Sequence, residues 1–323
     1  MRRTVNLLSL IGALAGMAAI AVEGHAQDRK PIVGLPWPGP PGTHNGLAAF
    51  SQGLTARGYQ PARSVMIIEA YAGGDPERLP ETMTELLGRR VDILVTPGGL
   101  ATRAAQRATS TVPIVSITGD PVGLGFARSL SHPGGNITGV SSQASEFSVK
   151  WLEMLLAAVP KAKRVAALLN GDNSITESEL ANLQRAARAL DIELRAVLTR
   201  RGALDASLEE IEVAKPDGIV VGDDPYLDSQ GPRIASFARD HRIAAFFGGN
   251  VRGEALLSYS MNFDAAWRKA ADFVDRILKG AQPADLPIEQ ATDYVLYVNL
   301  RTARALAIII PASLLARADE VIE

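Results

Sequence analysis

The chain has 323 residues, of which 47% are hydrophobic and 21% are charged, and its formal net charge is −2 at pH 7. This composition is typical of globular proteins, because disordered chains are less apolar and more strongly charged. The near-neutral charge argues against nucleic acid as a partner, which would require a basic face. The sequence contains no cysteine, which excludes disulfides, thiolate nucleophiles and cysteine-ligated metal centres. The length predicts two domains, each with its own core.

Residues 1–26 have the pattern of a secretory signal peptide. Two arginines at residues 2–3 precede an apolar run over residues 5–22, and the small residues Gly24 and Ala26 suit a signal peptidase. We therefore expect cleavage after Ala26 and export to the periplasm without a lipid anchor, since the usual lipid-modified residue is a cysteine. A membrane anchor is the alternative, because the apolar run is of borderline length for spanning a bilayer.

The rest of the chain alternates short apolar runs with longer amphipathic stretches, which is the pattern of a parallel α/β sheet. The first half predicts strands at residues 32–35, 65–68, 91–95 and 113–117. Apolar residues at helical spacing predict helices between these strands, around residues 47–58, 83–88 and 101–108. The second half repeats this order, with strands at 165–169, 193–197, 218–221 and 243–247 and helices around 180–190, 204–213 and 234–238.

The two halves of the chain are also similar in detail. The third strand of each half has a similar sequence, at residues 90–95 and at residues 215–221, and the strands follow one another at similar distances. The sequence therefore predicts an α/β fold of two lobes, each built on a doubly wound parallel sheet. One large continuous sheet is the alternative, and it explains the repeat less well.

Polar and glycine-rich loops follow the predicted strands. In open parallel sheets, ligands bind beyond the carboxyl ends of the strands, where the winding reverses. We expect two such edges to face each other across a cleft that holds a ligand. The loops concerned are residues 37–40, 96–99, 119–121, 172–174, 223–225 and 248–250.

Two of these loops carry groups with a specific chemistry. Thr96, Gly98 and Gly99 predict a helix N-terminus whose free backbone N–H groups suit a carboxylate or another anion, although an ordinary strand–helix turn has the same pattern. Asp223 and Asp224 precede a proline, so they cap a helix, contact a ligand or act as an acid pair.

Few other features indicate chemistry. Trp37 follows a strand in a proline-rich loop, where its ring is either a stacking platform for an apolar ligand or part of the packing. The glycine-rich segment 123–128 follows a predicted strand and is expected to precede a helix, as a dinucleotide fingerprint does, but Arg128 replaces the third glycine and favours a plain loop. The sequence lacks the GxSxG, HExxH and P-loop motifs. The histidines after the signal peptide are far apart in the sequence, so they do not predict a metal site; they are His44, His132 and His241. Together with the missing motifs, this leads us to expect no catalytic residue, no metal and no cofactor.

An ordered series of motifs resembles the exported substrate-binding proteins of the ABC transporter family that includes tryptophan- and tyrosine-type binding proteins. The best match is the segment at residues 133–139, PGGNITG. The resemblance covers essentially the whole chain after the signal peptide, and a series of motifs is more specific than a single one. The matching segments are residues 74–80, 108–115, 119–123, 133–139, 277–281, 285–290 and 316–322.

The resemblance implies a type I periplasmic-binding fold, in which two lobes joined by three crossovers close on a ligand. The crossovers are expected near residues 141–145, near 258–262 and between about 279 and 299, with a helix over 263–278 that returns to the first lobe. The first lobe would then comprise residues 27–142 plus 262–285, the second lobe residues 143–261, and residues 286–323 would form a C-terminal segment that returns across the hinge.

The resemblance also implies how a ligand would be held. Its anionic group would bind backbone N–H groups in two loops, its amine would bind an aspartate, and two aromatic rings would flank its apolar part. The segments 37–41 and 248–250 differ from the family pattern, so the resemblance does not identify the ligand. An aromatic or branched amino acid is the leading candidate. The residues expected in the site are Trp37, Thr96, Gly98, Gly99, Asp120, Asn173, Ser174, Asp223, Asp224, Tyr226 and Gly248.

The implied partners are a small-molecule ligand and a membrane ABC permease that receives the closed form. We expect a monomer that binds no nucleic acid. Two other functions stay open at this point. One is an exported enzyme that uses Asp223 or Asp224 on a small metabolite in the same cleft. The other is a ligand-sensing module of a signalling receptor.

Overall fold

The computed structural model describes residues 29–42, 46–249, 251 and 255–323, with the backbone alone at residues 144–146. Residues 31–323 form one compact unit. The predicted signal peptide and Asn250 of the last predicted loop lie outside the described residues.

The first sheet is built from the N-terminal part of the chain. In the described residues it has six strands in the order β11-β5-β4-β3-β1-β2, and all of its paired strands are parallel. Its elements are β1 (Ile32–Trp37), α1 (Gly46–Thr55), β2 (Met66–Tyr71), α2 (Leu79–Gly88), β3 (Ile93–Pro97), α3 (Gly98–Ala108), β4 (Ile114–Thr118) and β5 (Ile137–Ser141), together with the later α9 (Phe263–Leu278) and β11 (Glu289–Gln290).

The second sheet has seven strands in the described residues, in the order β13-β12-β10-β9-β8-β6-β7. Its paired strands are parallel except for β10 and β12, which are antiparallel, so β12 and β13 run opposite to the other five strands. Its elements are α4 (Ala144–Ala158), β6 (Arg164–Asn170), α5 (Thr176–Ala189), β7 (Glu193–Thr199), α6 (Leu204–Ala214), β8 (Gly218–Val221), α7 (Pro225–Ser229), α8 (Gly231–Asp240), β9 (Ala244–Phe247), β10 (Leu257–Met261), β12 (Tyr294–Asn299), α10 (Leu300–Ala305), α11 (Ala312–Leu315) and β13 (Glu320–Ile322).

The prediction of two doubly wound α/β lobes is confirmed by these two sheets. Within the described residues the chain passes between the sheets three times: after β5, after β10 and after β11. The C-terminal segment is divided between the sheets, because β11 pairs with β5 whereas β12 and β13 extend the second sheet.

Three aromatic rings pack together at these connections. Phe147 follows the first crossover, Tyr259 precedes the second and Tyr294 follows the third. Phe147 and Tyr294 stack with their ring centroids 4.2 Å apart, and the centroids of Tyr259 and Tyr294 are 5.6 Å apart. The Tyr294 hydroxyl donates a hydrogen bond to the carbonyl oxygen of Ser142, with the two oxygens 2.8 Å apart. The three crossovers therefore lie side by side and contact one another.

Helix α9 returns from the second lobe and completes the first. The side chain of Asn262 caps its start by accepting a hydrogen bond from the backbone N–H of Ala265, at 3.0 Å. Its apolar face packs on α1, where Gly53 has no side chain: a Cβ at this position would lie 2.8 Å from the Cβ of Ala271. This glycine therefore allows the close approach of the two helices that covers one face of the first sheet.

Two segments differ from the sequence prediction. No helix follows the glycine-rich segment 123–128 in the described chain, which continues through turns to β5, so the prediction of a helix there is wrong. Pro133 lacks an N–H donor and Gly134 has a φ of +73°, and both disfavour a helix. Residues 257–261 form the buried strand β10, which was not predicted, and the second crossover follows this strand directly, within the expected region near residues 258–262. None of the helices in the described residues is long and apolar enough to cross a membrane.

Candidate functional site

The winding of each sheet reverses at one position. In the first sheet, β1 lies between β2 and β3, and in the second, β6 lies between β7 and β8. Ligands of open α/β sheets bind beyond the carboxyl ends of the strands at such positions. Four of the six predicted site loops follow β1, β3, β6 and β8 and so lie at these two switch points, whereas the predicted loops that begin at residues 119 and 248 follow β4 and β9.

The loop after β3 leads directly into α3. Gly98, its first residue, has a φ of +79°, and the residue before it, Pro97, provides no capping side chain. The first backbone N–H groups of a helix have no partner within the helix and carry a partial positive charge, which favours an anion. The side chain of Thr96 is fully buried and shares a hydrogen bond of 2.8 Å with the hydroxyl of Thr102. Thr96 therefore fastens β3 to α3, and the glycines after it leave the start of the helix uncovered.

The loops of the two lobes meet at this helix start. The position of a Cβ on Gly99 would lie 3.1 Å from the Oγ of Ser174, and the position of a Cβ on Gly98 would lie 3.8 Å from the Cγ of Pro225. Ser174 follows β6 and Pro225 follows β8, both in the second lobe. The structure thus brings together the loops that the sequence assigned to opposite walls of a cleft.

Asp224 is a buried carboxylate in the second lobe, in the loop between β8 and α7. It is 3% exposed. Its Oδ1 accepts hydrogen bonds from the N–H groups of Tyr226 and Leu227, at 2.8 and 3.0 Å, and so caps α7. Its Oδ2 accepts from the side-chain amides of Asn170 and Asn173, at 3.1 and 2.9 Å. Because both oxygens already accept two hydrogen bonds, the geometry supports the capping alternative for Asp224 and makes it the residue that orients Asn173.

Two further carboxylates accompany Asp224. Asp223 is half-buried, and burial together with the neighbouring charge of Asp224 raises its pKa to about 7. Glu179 on α5 is 2% exposed and accepts a hydrogen bond from the backbone N–H of Asp223. Burial, and then the charges of Asp223 and Asp224, raise the pKa of Glu179 well above its usual range. Among the described residues, the structure shows no group of three or more His, Asp or Glu side chains that could hold a metal ion.

Four predicted residues have roles within a single lobe. Trp37 is 4% exposed, donates a hydrogen bond from Nε1 to Glu69 and packs on Trp267 with 5.1 Å between the ring centroids. This is the packing alternative for Trp37. The others are Asp120, whose Oδ1 accepts from the N–H of Gly123 at 2.8 Å; Tyr226, whose hydroxyl lies 3.5 Å from the carbonyl oxygen of Arg200; and Gly248, where a Cβ would lie 2.5 Å from the ring of Trp151.

Glu179 and Thr118 lie at the site but were not predicted from the sequence. Glu179 lies four residues before the buried Leu183 on α5, so a polar residue on the apolar face was the available signal. Thr118 ends the buried strand β4, is 3% exposed, and its hydroxyl has no hydrogen-bond partner among the described residues. Its Oγ1 would lie 3.7 Å from a Cβ on Gly99. Thr118 therefore adds a buried hydroxyl group beside Gly99 that is available to a ligand.

The chain is similar to known proteins both in sequence and in structure. The family model for ABC transporter substrate binding proteins matches residues 40–322. A "Tyrosine-binding protein" of Clostridioides difficile (strain R20291) is 23% identical over 261 residues, which are 80% of this chain and 75% of that protein.

Two solved structures share the fold over nearly the whole chain. A conserved domain protein of Vibrio cholerae is 25% identical, with a TM-score of 0.82, and the match covers 91% of this chain and all of that one. An ABC domain of Streptococcus pneumonia in complex with L-Trp is 23% identical, with a TM-score of 0.81 and coverage of 90% and 100%.

A third solved structure that shares the fold is ligand-free and open. The ligand-free, open structure of a Clostridium difficile substrate binding protein with adhesive properties is 22% identical, with a TM-score of 0.67 and coverage of 91% and 99%. The two-lobed fold, the loops that meet at the switch points and the family match over residues 40–322 lead to one conclusion. This chain belongs to the family of ABC transporter substrate-binding proteins.

Proposed function

We propose that this protein is the solute-binding component of an ABC uptake system and that it takes an amino acid into the cleft between its lobes, closes over it and releases it chemically unchanged. The observation that carries the proposal is the meeting of Gly99 and Ser174, which belong to opposite lobes and lie at the two switch points. A solute held there contacts both lobes only when they are together. Its binding therefore favours the closed arrangement by the difference between its affinities for the closed and open states.

The names of two relatives support an aromatic amino acid as the ligand. One relative is a tyrosine-binding protein, and another was solved with L-Trp. The polar groups of the site fit an amino acid: the start of α3 suits a carboxylate, and Asp223 suits an ammonium group. Tyr226 borders the same loop and supplies an aromatic surface. Micromolar affinity corresponds to about 8 kcal/mol, which one anion site, one charge pair and one stacked ring can supply.

A closed arrangement of the lobes is part of the proposal. The fold superposes on the L-Trp complex with a TM-score of 0.81 but on the ligand-free, open structure with 0.67. The direct approach of Pro225 to Gly98 agrees with this difference. The narrow hinge with its three crossovers suits a rotation of one lobe against the other.

We further propose export to the periplasm by the signal peptide at residues 1–26, with no lipid anchor, and action as a monomer that delivers its ligand to a membrane permease. The N-terminal pattern and the cysteine-free sequence support this location. Mass spectrometry of the exported protein tests it: cleavage after Ala26 is expected, and an intact or acylated N-terminus would contradict it.

Calorimetric titration with L-tryptophan and L-tyrosine tests ligand binding, with a pentose and an aliphatic diamine as controls of other chemistry. Saturable one-to-one binding of an amino acid, together with a smaller radius of gyration in solution scattering, is expected. A protein that binds no amino acid contradicts the ligand class. Recovery of altered ligand after long incubation would favour the enzyme alternative, with Asp223 as the base.

A further inference from the structure

We infer that the ligand's carboxylate binds at a two-lobe site in which the Thr118 hydroxyl and the first N–H groups of α3 come from the first lobe and the Ser174 hydroxyl comes from the second. This inference rests on the proposed function, because it names the ligand group that the cleft recognises.

The Thr118 hydroxyl is the observation that points to a ligand. It is on the last residue of β4, where the side chain is 3% exposed, and Oγ1 has no hydrogen-bond partner among the described residues. A buried hydroxyl without a partner is unfavourable, because it has lost its hydrogen bonds to water. A ligand acceptor that enters the cleft would supply the missing bond.

The start of α3 faces the same position. This helix has 11 residues, and Pro97 before it offers no side-chain cap. Its first N–H groups are consequently available to a ligand. A Cβ on Gly99 would lie 3.7 Å from Thr118 Oγ1 and 3.3 Å from a methyl group of Leu124, so only glycine leaves this small volume open. The first lobe thus offers the Thr118 hydroxyl and the first N–H groups of α3 as donors, which suits an oxygen that only accepts hydrogen bonds.

Ser174 completes the site from the second lobe. Its Oγ would lie 3.1 Å from a Cβ on Gly99, so the hydroxyls of Ser174 and Thr118 both lie within 4 Å of this position. The loop of Ser174 is held in place by Asn173, whose amide is bound to Asp224. The carboxylate therefore meets all of its donors only when the lobes are together. A solute without a carboxylate lacks this part of the preference for the closed state.

The test compares ligands and variants in one experiment. Thr118→Val removes the hydroxyl and keeps the size of the side chain, whereas Thr118→Ser restores the hydroxyl. Ser116→Ala is the matched control: Ser116 lies two residues earlier on β4, is fully buried, and its hydroxyl also has no partner among the described residues. The probes are L-tyrosine, L-tryptophan and tyramine, which is tyrosine without its carboxylate, each measured by calorimetry.

We expect Thr118→Val to weaken L-tyrosine or L-tryptophan binding about 10- to 100-fold, as for the loss of one hydrogen bond to a charged group, and to leave tyramine binding unchanged within about threefold. Thr118→Ser should recover most of the loss, and Ser116→Ala should bind as the wild type does. The ligand-free Thr118→Val protein should be at least as stable as the wild type, since only an unpaired hydroxyl is removed. Reduced affinity with undiminished stability separates a ligand contact from a structural role.

Wild-type affinity of Thr118→Val for both amino acids would overturn the inference, as would equal losses for tyrosine and tyramine. If the wild type binds tyramine or another solute without a carboxylate but neither amino acid, the carboxylate site is wrong while solute binding in the cleft stands. If the wild type binds no small molecule at all, the proposed function itself fails, and the carboxylate site fails with it.

Discussion

The guanidinium group of Arg201 reaches from the second lobe to the first, where its Nη2 donates a hydrogen bond to the carbonyl oxygen of Gly73 at 3.3 Å. Arg201 follows β7 and is exposed, and Gly73 follows β2. Gly73 and Gly74 have φ angles of +67° and +81°, and a Cβ on Gly74 would collide with the guanidinium. Two glycines therefore form the contact surface on which Arg201 rests. Because this contact joins the lobes, it stabilises the arrangement in which the lobes meet and does not stabilise either lobe alone.

Replacement of Arg201 should shift the protein toward the open state. One exposed hydrogen bond contributes about 0.5–1.5 kcal/mol, so Arg201→Ala should weaken ligand binding about 2- to 10-fold, mainly through faster dissociation in stopped-flow experiments. The neighbouring Arg200 pairs with Asp172 of its own lobe at 3.6 Å, so Arg200→Ala is the matched control and should retain wild-type dissociation. Equal dissociation rates for both variants would show that the Arg201 contact does not hold the closed state.

Stability should depend on pH through Asp223. Its pKa is raised from 3.8 to about 7 in the folded protein. As pH rises from about 4 to 7, the unfolded chain has lost a proton that the folded protein still holds, so the free energy of unfolding falls across this window and levels off above it. Asp223→Asn should therefore show a shallower decline between pH 5 and pH 8 in urea unfolding. Asp172→Asn is the control for the loss of one exposed carboxylate, and parallel profiles for Asp223→Asn and the wild type would contradict this prediction.

Loss of the Asp224 carboxylate should affect both stability and binding. Asp224→Ala removes four hydrogen bonds, including the two that cap α7. We expect a loss of about 2–4 kcal/mol in the free energy of unfolding and weaker ligand binding, since Asn173 is no longer oriented. Asp172→Ala, which removes an exposed carboxylate from the same edge of the sheet, should cost less than about 1 kcal/mol. Unchanged stability of Asp224→Ala would show that the cap is dispensable.

Trp37 should behave as a packing residue. Its ring is buried against Trp267, so Trp37→Phe should lower the free energy of unfolding by about 1–3 kcal/mol, with the dissociation constant for ligand within about threefold of the wild-type value. Thermal unfolding and calorimetry of the same samples separate the two effects. Full stability with a tenfold loss of affinity would instead make the ring a ligand platform. Trp267→Phe, on the other side of this ring contact, should lower stability in the same way.

The sequence alone predicted the fold class and the two lobes, because the patterns that indicate them extend over only a few residues. Apolar runs separated by amphipathic stretches predicted β1 to β4 in the first sheet and β6 to β9 in the second, and the repeat between the halves predicted two lobes. β5, β11 and β13 were not predicted from the sequence, and neither were the neighbouring strands β10 and β12. These strands pair antiparallel with each other across the insertion of α9 and β11, so their partners are far apart in the sequence and no local pattern connects them.

The sequence also indicated which sheet edges carry the site, but not which side chains face the cleft. Asp223 and Asp224 are adjacent in sequence, yet Asp224 points into a network of amides and N–H groups while Asp223 keeps a raised pKa beside it. Strand direction alone sets an edge, because every parallel strand of a sheet ends there. The orientation of each carboxylate depends on the hydrogen-bond donors that other elements bring close.

The amino-acid sequence by itself determined an α/β chain of two repeated lobes, a signal-peptide pattern and the loops at which a ligand would bind. Only the tertiary structure decided that the Thr118 hydroxyl lies beside Gly99 with no partner in the described part of the chain, and that Ser174 and Arg201 contact the other lobe. The physical reason is the distance along the sequence over which each interaction acts. Periodicity and turn residues act over a few positions, whereas a contact between lobes depends on how two separately folded sheets are placed by three short crossovers.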